Sequence, residues 1–289
     1  MTRPPVWSRP ALFARLVKVE HSVYALPFAY AGMLLGAGGR PTLGQFLWIT
    51  VAMVAARSAA MALNRLIDAR LDALNPRTAG RELPAGRLRP GEVWAFVAVS
   101  LAVLVLAAFN LSPPCRYLWP VPVAAFVVYP YTKRWTAACH YVLGLTDGLA
   151  PAAAWVAVTG GVSAEAWLLF LAVGVWVGGF DVMYAVFDLD FDRAHGLHSL
   201  PVALGEAGAL RAAAASHVVT LALLAACGLV AGLGAAYWLA LAVVAVVLAW
   251  PHVDVARRGL AAVGMRFMTV NGVLGFVYLA GVAASVLGA

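Results

Sequence analysis

The sequence predicts an all-α integral membrane protein with about nine transmembrane helices packed as a bundle. Hydrophobic residues make up 63% of the 289 residues and charged residues only 11%, and the mean hydropathy is +0.87. Soluble domains carry about 25% charged residues. Apolar stretches of about 20 residues, the length that crosses roughly 30 Å of hydrocarbon, recur along the whole chain.

The apolar stretches follow one another without a soluble domain or a linker between them. We predict spans at residues 19 to 38, 43 to 64, 91 to 110, 115 to 131, 139 to 160, 164 to 186, 209 to 231, 234 to 252 and 267 to 288. Residues 1–18 lack the short apolar core of a signal peptide. They are predicted to form an interfacial segment that leads into the first helix, so residues 1–289 are treated as one membrane domain.

The basic residues predict the orientation of the bundle. If the N-terminus lies in the cytoplasm, all but three of the 20 Lys and Arg residues fall in cytoplasmic segments. The exceptions are Arg40 and Arg116 in external loops and Arg57 within the second helix. Since Lys and Arg are retained on the cytoplasmic side, we expect a cytoplasmic N-terminus and a location in a prokaryotic plasma membrane.

The net charge and the cysteines exclude several other classes of protein. The charge of +7 lies in loops beside membrane spans and not in a basic domain with interleaved aromatic residues, so nucleic acid is not an expected partner. Membrane orientation and contact with anionic lipid account for it. Cys115, Cys139 and Cys227 have no metal-binding spacing, and we expect no disulfide.

Two groups of polar residues lie at the ends of apolar stretches, and their spacing would place the oxygen atoms of each group on one helical face. The groups are Asn64, Asp68 and Asp72, spaced by four and four residues, and Asp181, Asp188 and Asp192, spaced by seven and four. A carboxylate in the bilayer is costly and usually faces the bundle interior. A single aspartate would indicate only a polar helix end, but two groups at the same membrane edge favour a functional site.

Side chains with oxygen ligands favour Mg²⁺, which completes its coordination with waters and phosphate oxygens. All six residues of the two groups are predicted to bind the metal, and the four that contribute most to catalysis are Asp68, Asp72, Asp188 and Asp192. Asp190 should point to the opposite face, where it is solvated or supports the site. The implied ligand is a phosphorylated substrate bridged through the metal.

The residues from Asn64 to Asp72 (NRLIDARLD) resemble the NxxxDxxxD signature of the UbiA family of intramembrane aromatic prenyltransferases. The next segment, from Asn75 to Gly86, is similar to a cytoplasmic loop of that family, and residues 181–192 resemble its second motif. The resemblance covers the whole chain. Arg65 is a departure, because many members have an acidic residue there.

The resemblance implies a Mg²⁺-dependent transfer of a polyprenyl group from polyprenyl diphosphate to an aromatic acid in quinone biosynthesis. The allylic C–O bond ionises and the ring attacks the cation, which needs a central cavity that excludes water. 4-Hydroxybenzoate would indicate ubiquinone synthesis. The segments 75–86 and 196–205 favour 1,4-dihydroxy-6-naphthoate and the futalosine route to menaquinone. Alternative acceptors are haem, homogentisate, a chlorin or a glycerol phosphate lipid.

The resemblance also suggests residues that bind the two substrates. Basic residues near the leaving diphosphate would be Lys133, Arg134, Arg77 and Arg81, although a positive-inside anchor explains each of them equally well. Arg57 lies seven residues before Asn64, so it shares nearly the same helical face. It is expected either to bind the carboxylate of the acceptor or to pair with an acid of the bundle such as Asp147 or Asp181. Asp147 is itself an acceptor-binding candidate.

A different class of protein, a cation or proton transporter, would also place aspartates within the membrane. Both aspartate groups lie at one predicted surface and not at two depths, which argues against an ion path. We expect lipid and the two substrates as partners, and the sequence indicates no obligate protein partner.

Overall fold

The computed structural model describes residues 9–260 and 266–288, and every regular element in these ranges is helical. The helices are α1 Arg9–Val17, α2 Val19–Gly36, α3 Leu43–Ile67, α4 Ala69–Leu74, α5 Pro90–Phe109, α6 Cys115–Leu118, α7 Pro120–Thr132, α8 Cys139–Thr159, α9 Ala164–Ala185, α10 Leu189–Ala194, α11 Leu200–Val230, α12 Ala235–Arg258 and α13 Arg266–Leu287. A 3₁₀ turn, Val186–Asp188, joins α9 to α10. The all-α class is therefore confirmed.

Six of the described helices are long and apolar enough to cross a membrane: α3, α5, α8, α9 with its continuation to Ala194, α11 and α12. Shorter apolar stretches, Leu26–Gly36 and Gly272–Leu287, lie in α2 and α13. These helices confirm an integral membrane protein. The count of nine spans stays a prediction, since α7 has only 13 residues.

Polar caps determine where several long helices begin. The side chain of Thr42 accepts a hydrogen bond from the backbone N–H of Gln45, and the Gln45 side chain accepts one from the N–H of Thr42. This reciprocal pair satisfies backbone donors that the first turn of α3 leaves free. Ser163 and Ser199 cap α9 and α11 through their hydroxyl oxygens, which accept from the backbone N–H groups of Ala166 and Val202.

Three helices differ from the predicted spans for identifiable reasons. The span predicted at 115–131 is divided into α6 and α7 at Trp119 and Pro120, where a proline N1 residue favours a new helix start. Helix α11 begins nine residues earlier than predicted and is kinked at Gly205, whose φ of 69° favours glycine. Helix α12 continues to Arg258, beyond its Pro251.

Glycines allow α8 and α9 to pack closely. A Cβ atom on Gly144 would overlap the backbone carbonyl of Gly174, and one on Gly178 would overlap the ring of Tyr141. Small residues at helix contacts let backbones approach each other in membrane proteins. The close contact brings the N-terminal turn of α8 beside the C-terminal half of α9, where Asp181 lies.

The long helices form a ring of neighbours. Helix α8 packs against α2, α7 and α9, and α9 continues the ring through α11 and α12 to α13, which packs against α2. Helix α3 packs against α5 and α7. The aspartate groups lie at one end of the helix bundle, and an apolar cavity lies inside the bundle, lined mainly by residues of α3 and of α5 to α9.

Candidate active site

Asp68 is the centre of the first aspartate group, and three polar atoms converge on its carboxylate. It is buried. Lys133 donates to Oδ2 at 2.6 Å and Asn64 at 3.1 Å, while Arg134 donates to Oδ1 at 3.3 Å. Helix α3 ends at Ile67, so Asp68 stands between α3 and α4 and not within a continuous helix. The predicted basic pair and the predicted ligand are therefore in direct contact.

Asp72 is the second buried carboxylate of this group. Arg81 donates to its Oδ1 at 2.7 Å, and the Thr78 hydroxyl donates to its backbone carbonyl at 3.0 Å. Its Oδ2 is buried and has no hydrogen-bond partner among the residues described. An unsatisfied buried carboxylate oxygen is costly, so this atom is available to a cation or to a donor.

Asp188, in the second aspartate group, is held by the loop that follows the first group, residues 75–89. Arg77 donates to both carboxylate oxygens of Asp188 and also to the hydroxyl of Tyr184. Asn75 donates to Oδ1 of Asp188 at 3.0 Å. Burial alone would lower the pKa of Arg77, but the hydrogen bonds and the negative charge of Asp188 outweigh it and raise that pKa above its usual value.

The loop 75–89 therefore joins the two aspartate groups. Arg81 contacts Asp72 of the first group, and Arg77 contacts Asp188 of the second group. The two groups lie at the same end of the helix bundle, as the spacing and topology predicted. All four basic side chains that were expected near a diphosphate contact a predicted metal ligand, so in this structure they neutralise the carboxylates themselves.

The other aspartates of the second group have different surroundings. Asp192 is partly buried and is hydrogen-bonded to Ser199, the cap of α11. Asp190 is exposed, as expected for a residue on the opposite face. Asp181 lies deeper along α9, where its Oδ2 is 2.7 Å from Nδ1 of His140.

A cavity of about 910 Å³ lies inside the helix bundle, and its walls are mostly apolar. Arg57 and Asp147 are the charged residues among those that line it. Arg57 Nη1 lies 2.9 and 3.2 Å from the two Asp147 oxygens, which is the bundle ion pair considered as one alternative for Arg57. Nε of Arg57 is buried without a partner in the described part of the chain. Asn64 lies two helical turns farther along α3, roughly 10 Å along its axis.

Aromatic side chains form part of the cavity wall. Phe28 and Trp176 both line it, with ring centroids 4.9 Å apart. Tyr184 is instead engaged by Arg77, whose guanidinium lies over its ring, 4.6 Å from the centroid. Phe28 therefore lies where it can contact a ligand in the cavity. Tyr184 instead belongs to the ionic cluster, the group formed by the two sets of aspartates and the basic residues bonded to them, Lys133, Arg134, Arg77 and Arg81.

The residues present are compatible with Mg²⁺. Within residues 9–260 and 266–288, no three Asp, Glu, His or Cys side chains converge as a metal-binding group. The carboxylates of Asp68, Asp72 and Asp188 instead face cations or an amide. The donors are nevertheless oxygen atoms, which Mg²⁺ prefers. The unpartnered Oδ2 of Asp72 supplies a buried site for positive charge. Asp68, Asp72, Asp188 and Asp192 are the residues that could hold a divalent cation.

Three site residues were not predicted from the sequence. Asn75 donates to Asp188, which lies 113 positions later in the chain. The sequence feature that could have indicated Asn75 is a polar residue shortly after the first aspartate group. His140 contacts Asp181, but a lone histidine near a helix end carries no such information. Arg65 is buried beside Asn64, with Nη1 3.5 Å from its side-chain oxygen.

The sequence is similar to those of known proteins over most of its length. The UbiA prenyltransferase family matches residues 25–286. The 4-hydroxybenzoate octaprenyltransferases of Cupriavidus necator and Azotobacter vinelandii are 36% and 32% identical, over 82% and 88% of this chain and 84% and 86% of theirs.

Solved structures share the fold. A UbiA homologue from Aeropyrum pernix K1 has 35% identity and a TM-score of 0.84, covering 91% of this chain and 96% of that chain. One from Archaeoglobus fulgidus, bound to GPP and Mg²⁺, has 19% identity and a TM-score of 0.75, covering 96% and 99%. With its two aspartate groups above an apolar cavity, the chain belongs to the UbiA prenyltransferase family.

Proposed function

We propose that this enzyme transfers a polyprenyl group from polyprenyl diphosphate to an aromatic acid of the 4-hydroxybenzoate or 1,4-dihydroxy-6-naphthoate type. The observation that carries the proposal is the ionic cluster at one end of the apolar cavity, with a guanidinium, Arg57, inside that cavity. The basic residues of the cluster can bind a diphosphate, and the apolar walls of the cavity can contact a prenyl chain. The guanidinium of Arg57 can bind a carboxylate. The curated relatives named above act on 4-hydroxybenzoate.

On binding, the diphosphate would replace the aspartates as the hydrogen-bond partner of the basic residues. Lys133 and Arg134 now donate to Asp68, and Arg77 and Arg81 donate to Asp188 and Asp72. Bound Mg²⁺ would supply the positive charge that lets carboxylates and phosphate oxygens share one site. The ammonium and guanidinium groups would then be free to donate to the phosphate oxygens as the allylic C–O bond breaks and negative charge develops there.

Asn64 and Asp181 are the outer members of the proposed metal site. Asn64 donates its side-chain N–H to Asp68, and its carbonyl oxygen, which also accepts from Arg65 at 3.5 Å, is the potential ligand. Asp181 is bonded through one carboxylate oxygen to His140, and its side chain is 30% exposed. Each residue therefore has an oxygen atom that can take part in binding.

Arg57 would orient the acceptor. Its Nη1 is bonded to Asp147, while its Nε is buried without a partner in the described residues. Two parallel N–H groups of a guanidinium match the geometry of a carboxylate, so the Nε side of Arg57 is available to the aromatic acid. Asp147 would hold Arg57 in that orientation, and both candidate acceptors carry the carboxylate that this arrangement requires.

The cavity would protect the reacting cation. Ionisation leaves an allylic cation, and the ring carbon of the acceptor forms the new C–C bond before the ring loses a proton. Apolar walls exclude water from this cation. The faces of Phe28 and Trp176 can stabilise it by cation–π interaction, because both rings line the cavity.

We further propose nine spans, a cytoplasmic N-terminus and an ionic cluster that faces the cytoplasm, in a single domain of the prokaryotic plasma membrane. The distribution of Lys and Arg supports this orientation. The amphipathic α1, which stacks Phe13 on Phe96 and pairs Arg9 with Glu92, supports an interfacial N-terminal segment. No nucleic acid or protein partner is required by the reaction.

The test uses membranes that contain the wild type, Asp68→Ala, Asp188→Ala or Asp190→Ala, supplied with Mg²⁺, a polyprenyl diphosphate and each aromatic acid. We expect the first two replacements to abolish prenyl transfer without loss of inserted protein. Asp190→Ala is the matched control, because that carboxylate is exposed, and it should remain active. Full activity of Asp68→Ala would refute the assignment, and ion flux in liposomes without prenyl transfer would favour a transporter.

A further inference from the structure

His140 is a buried histidine that contacts two parts of the molecule at once. It is the second residue of α8 and is 4% exposed. Its Nδ1 lies 2.7 Å from Oδ2 of Asp181, and its Nε2 lies 3.3 Å from the backbone nitrogen of Leu200 in the first turn of α11. The imidazole therefore lies between a proposed metal ligand and the start of another helix.

The hydrogen bonds determine which nitrogen of His140 carries the proton. A backbone N–H can only donate, so Nε2 accepts from Leu200 and has no hydrogen of its own. The proton is then on Nδ1, which donates to the Asp181 carboxylate. A histidine that donates to a carboxylate and is fixed through its other nitrogen orients that carboxylate.

The same region also holds Lys133. The backbone carbonyl of Lys133 accepts from the N–H of His198 at 2.7 Å, and the Cys139 thiol donates to the His198 carbonyl at 3.3 Å. Together with the bond from Leu200 to His140, these contacts connect the turn between α7 and α8, residues 133–138, to the segment before α11. The turn that presents Lys133 to Asp68 is thus connected to the residue that holds Asp181.

We propose that His140 is a positioning residue, whose imidazole orients the Asp181 carboxylate toward the metal and diphosphate and fixes its position relative to Lys133. This inference rests on the proposed role of Asp181 in metal binding. His140 does not touch the substrates or the reacting atoms. It acts through Asp181. If the imidazole were removed, the partly exposed Asp181 carboxylate would lose its orientation and also a hydrogen bond that a carboxylate in an apolar helix needs.

Two replacements separate the two contacts of His140. His140→Asn keeps an N–H donor near the position of Nδ1, which faces Asp181, but has no acceptor that reaches Leu200. His140→Gln places its amide near the position of Nε2, where it can accept from Leu200 but does not reach Asp181 in the same way. A positioning role through Asp181 predicts that Asn preserves metal binding better than Gln does.

The readout is binding and not turnover. The melting temperature of each purified protein is titrated with Mg²⁺ at a constant concentration of inorganic diphosphate. We expect His140→Gln and His140→Ala to raise the Mg²⁺ concentration for half-maximal stabilisation by about 10- to 100-fold, the usual effect of losing a side chain that orients a ligand. His140→Asn should stay closer to the wild type, and the KM for Mg²⁺ in prenyl transfer should follow the same order.

The controls separate this proposal from the proposed function. His217→Asn alters another buried histidine, bonded to His252 at 2.7 Å, and should change the melting temperature but not the Mg²⁺ dependence. Asp181→Asn should weaken Mg²⁺ binding at least as much as His140→Gln. If Asp181→Asn binds Mg²⁺ normally, the metal role of Asp181 is wrong. If Asp181→Asn is impaired while Asn and Gln at position 140 behave alike, the positioning role of His140 is overturned and that of Asp181 stands.

Discussion

The ion pair between Arg57 and Asp147 allows stability and acceptor binding to be measured separately. Removing one partner of a fully buried pair costs about 3–5 kcal/mol, because it leaves an uncompensated charge. Here the side chains are 18% and 28% exposed to the cavity, so we expect about 2 kcal/mol for either Arg57→Met or Asp147→Leu. Replacing both residues by apolar side chains removes both charges and should restore most of that stability.

Acceptor binding should not recover in the double variant. A hydrogen bond to a charged group contributes about 1.5–3 kcal/mol, so loss of the guanidinium should raise the KM for the aromatic acid by about 10- to 100-fold. Thermal unfolding in detergent measures the stability of each variant, and steady-state kinetics measure the KM for both substrates. A double variant with the KM of the wild type for the aromatic acid would refute the role of Arg57 in acceptor binding.

Three further perturbations test the loop, the helix packing and the cavity. Arg77→Lys removes the guanidinium that donates to both oxygens of Asp188. The KM for polyprenyl diphosphate should rise about 10-fold. Trypsin should cleave the loop 75–89 faster, because the loop loses this contact with Asp188. An unchanged KM with faster cleavage would limit Arg77 to a structural role. Gly144→Ala should lower stability by about 1–3 kcal/mol because the α8–α9 contact has no space for a Cβ, whereas Gly91→Ala, which meets open space, should stay within about 1 kcal/mol of the wild type in thermal unfolding. Ala52→Phe narrows the cavity and should reduce activity with long polyprenyl diphosphates more than with geranyl diphosphate; equal losses would contradict the assignment of this cavity to the prenyl chain.

The sequence was sufficient to predict the helical class and the aspartates and basic residues that meet at one end of the bundle. Hydrophobic stretches of 20 residues have few alternatives to a transmembrane helix, because backbone groups must be paired within the bilayer. Aspartates at these positions are costly unless they are used. These two constraints act locally, so they make Asp68 and Asp188 candidates without knowledge of their neighbours.

Contacts between distant segments could not be predicted in this way. Helical spacing indicated that Asp68 and Asp72 share a face of one helix. In the structure α3 ends and α4 begins at Asp68, where φ is −94° and ψ is 3°. The bond from Asn75 to Asp188 and that from His140 to Asp181 depend on how α4, α8 and α9 pack. Nothing in the local pattern around a single histidine distinguishes a residue that orients a carboxylate from one at the membrane surface.

The alternatives for Arg57 show the same limit. Its spacing of seven residues from Asn64 placed Arg57 on nearly the same helical face as Asn64. Asp147 was one of two acids considered as its partner. Only the packing of α3 beside α8 decides between Asp147 and Asp181, because both lie within apolar spans. The unpartnered Nε of Arg57 is a property of three-dimensional arrangement and has no signature in the sequence.

The contact between α2 and α13 has a consequence for the order in which the protein is assembled. Phe28 of α2 stacks on Tyr278 of α13, with centroids 5.7 Å apart, and Gly272 of α13 completes the cavity wall. A ribosome releases α2 to the membrane long before α13 is made, and transmembrane helices associate after they have inserted. Helix α2 can therefore make this contact only after α13 has been inserted, so the part of the cavity wall at Phe28 and Gly272 is completed last.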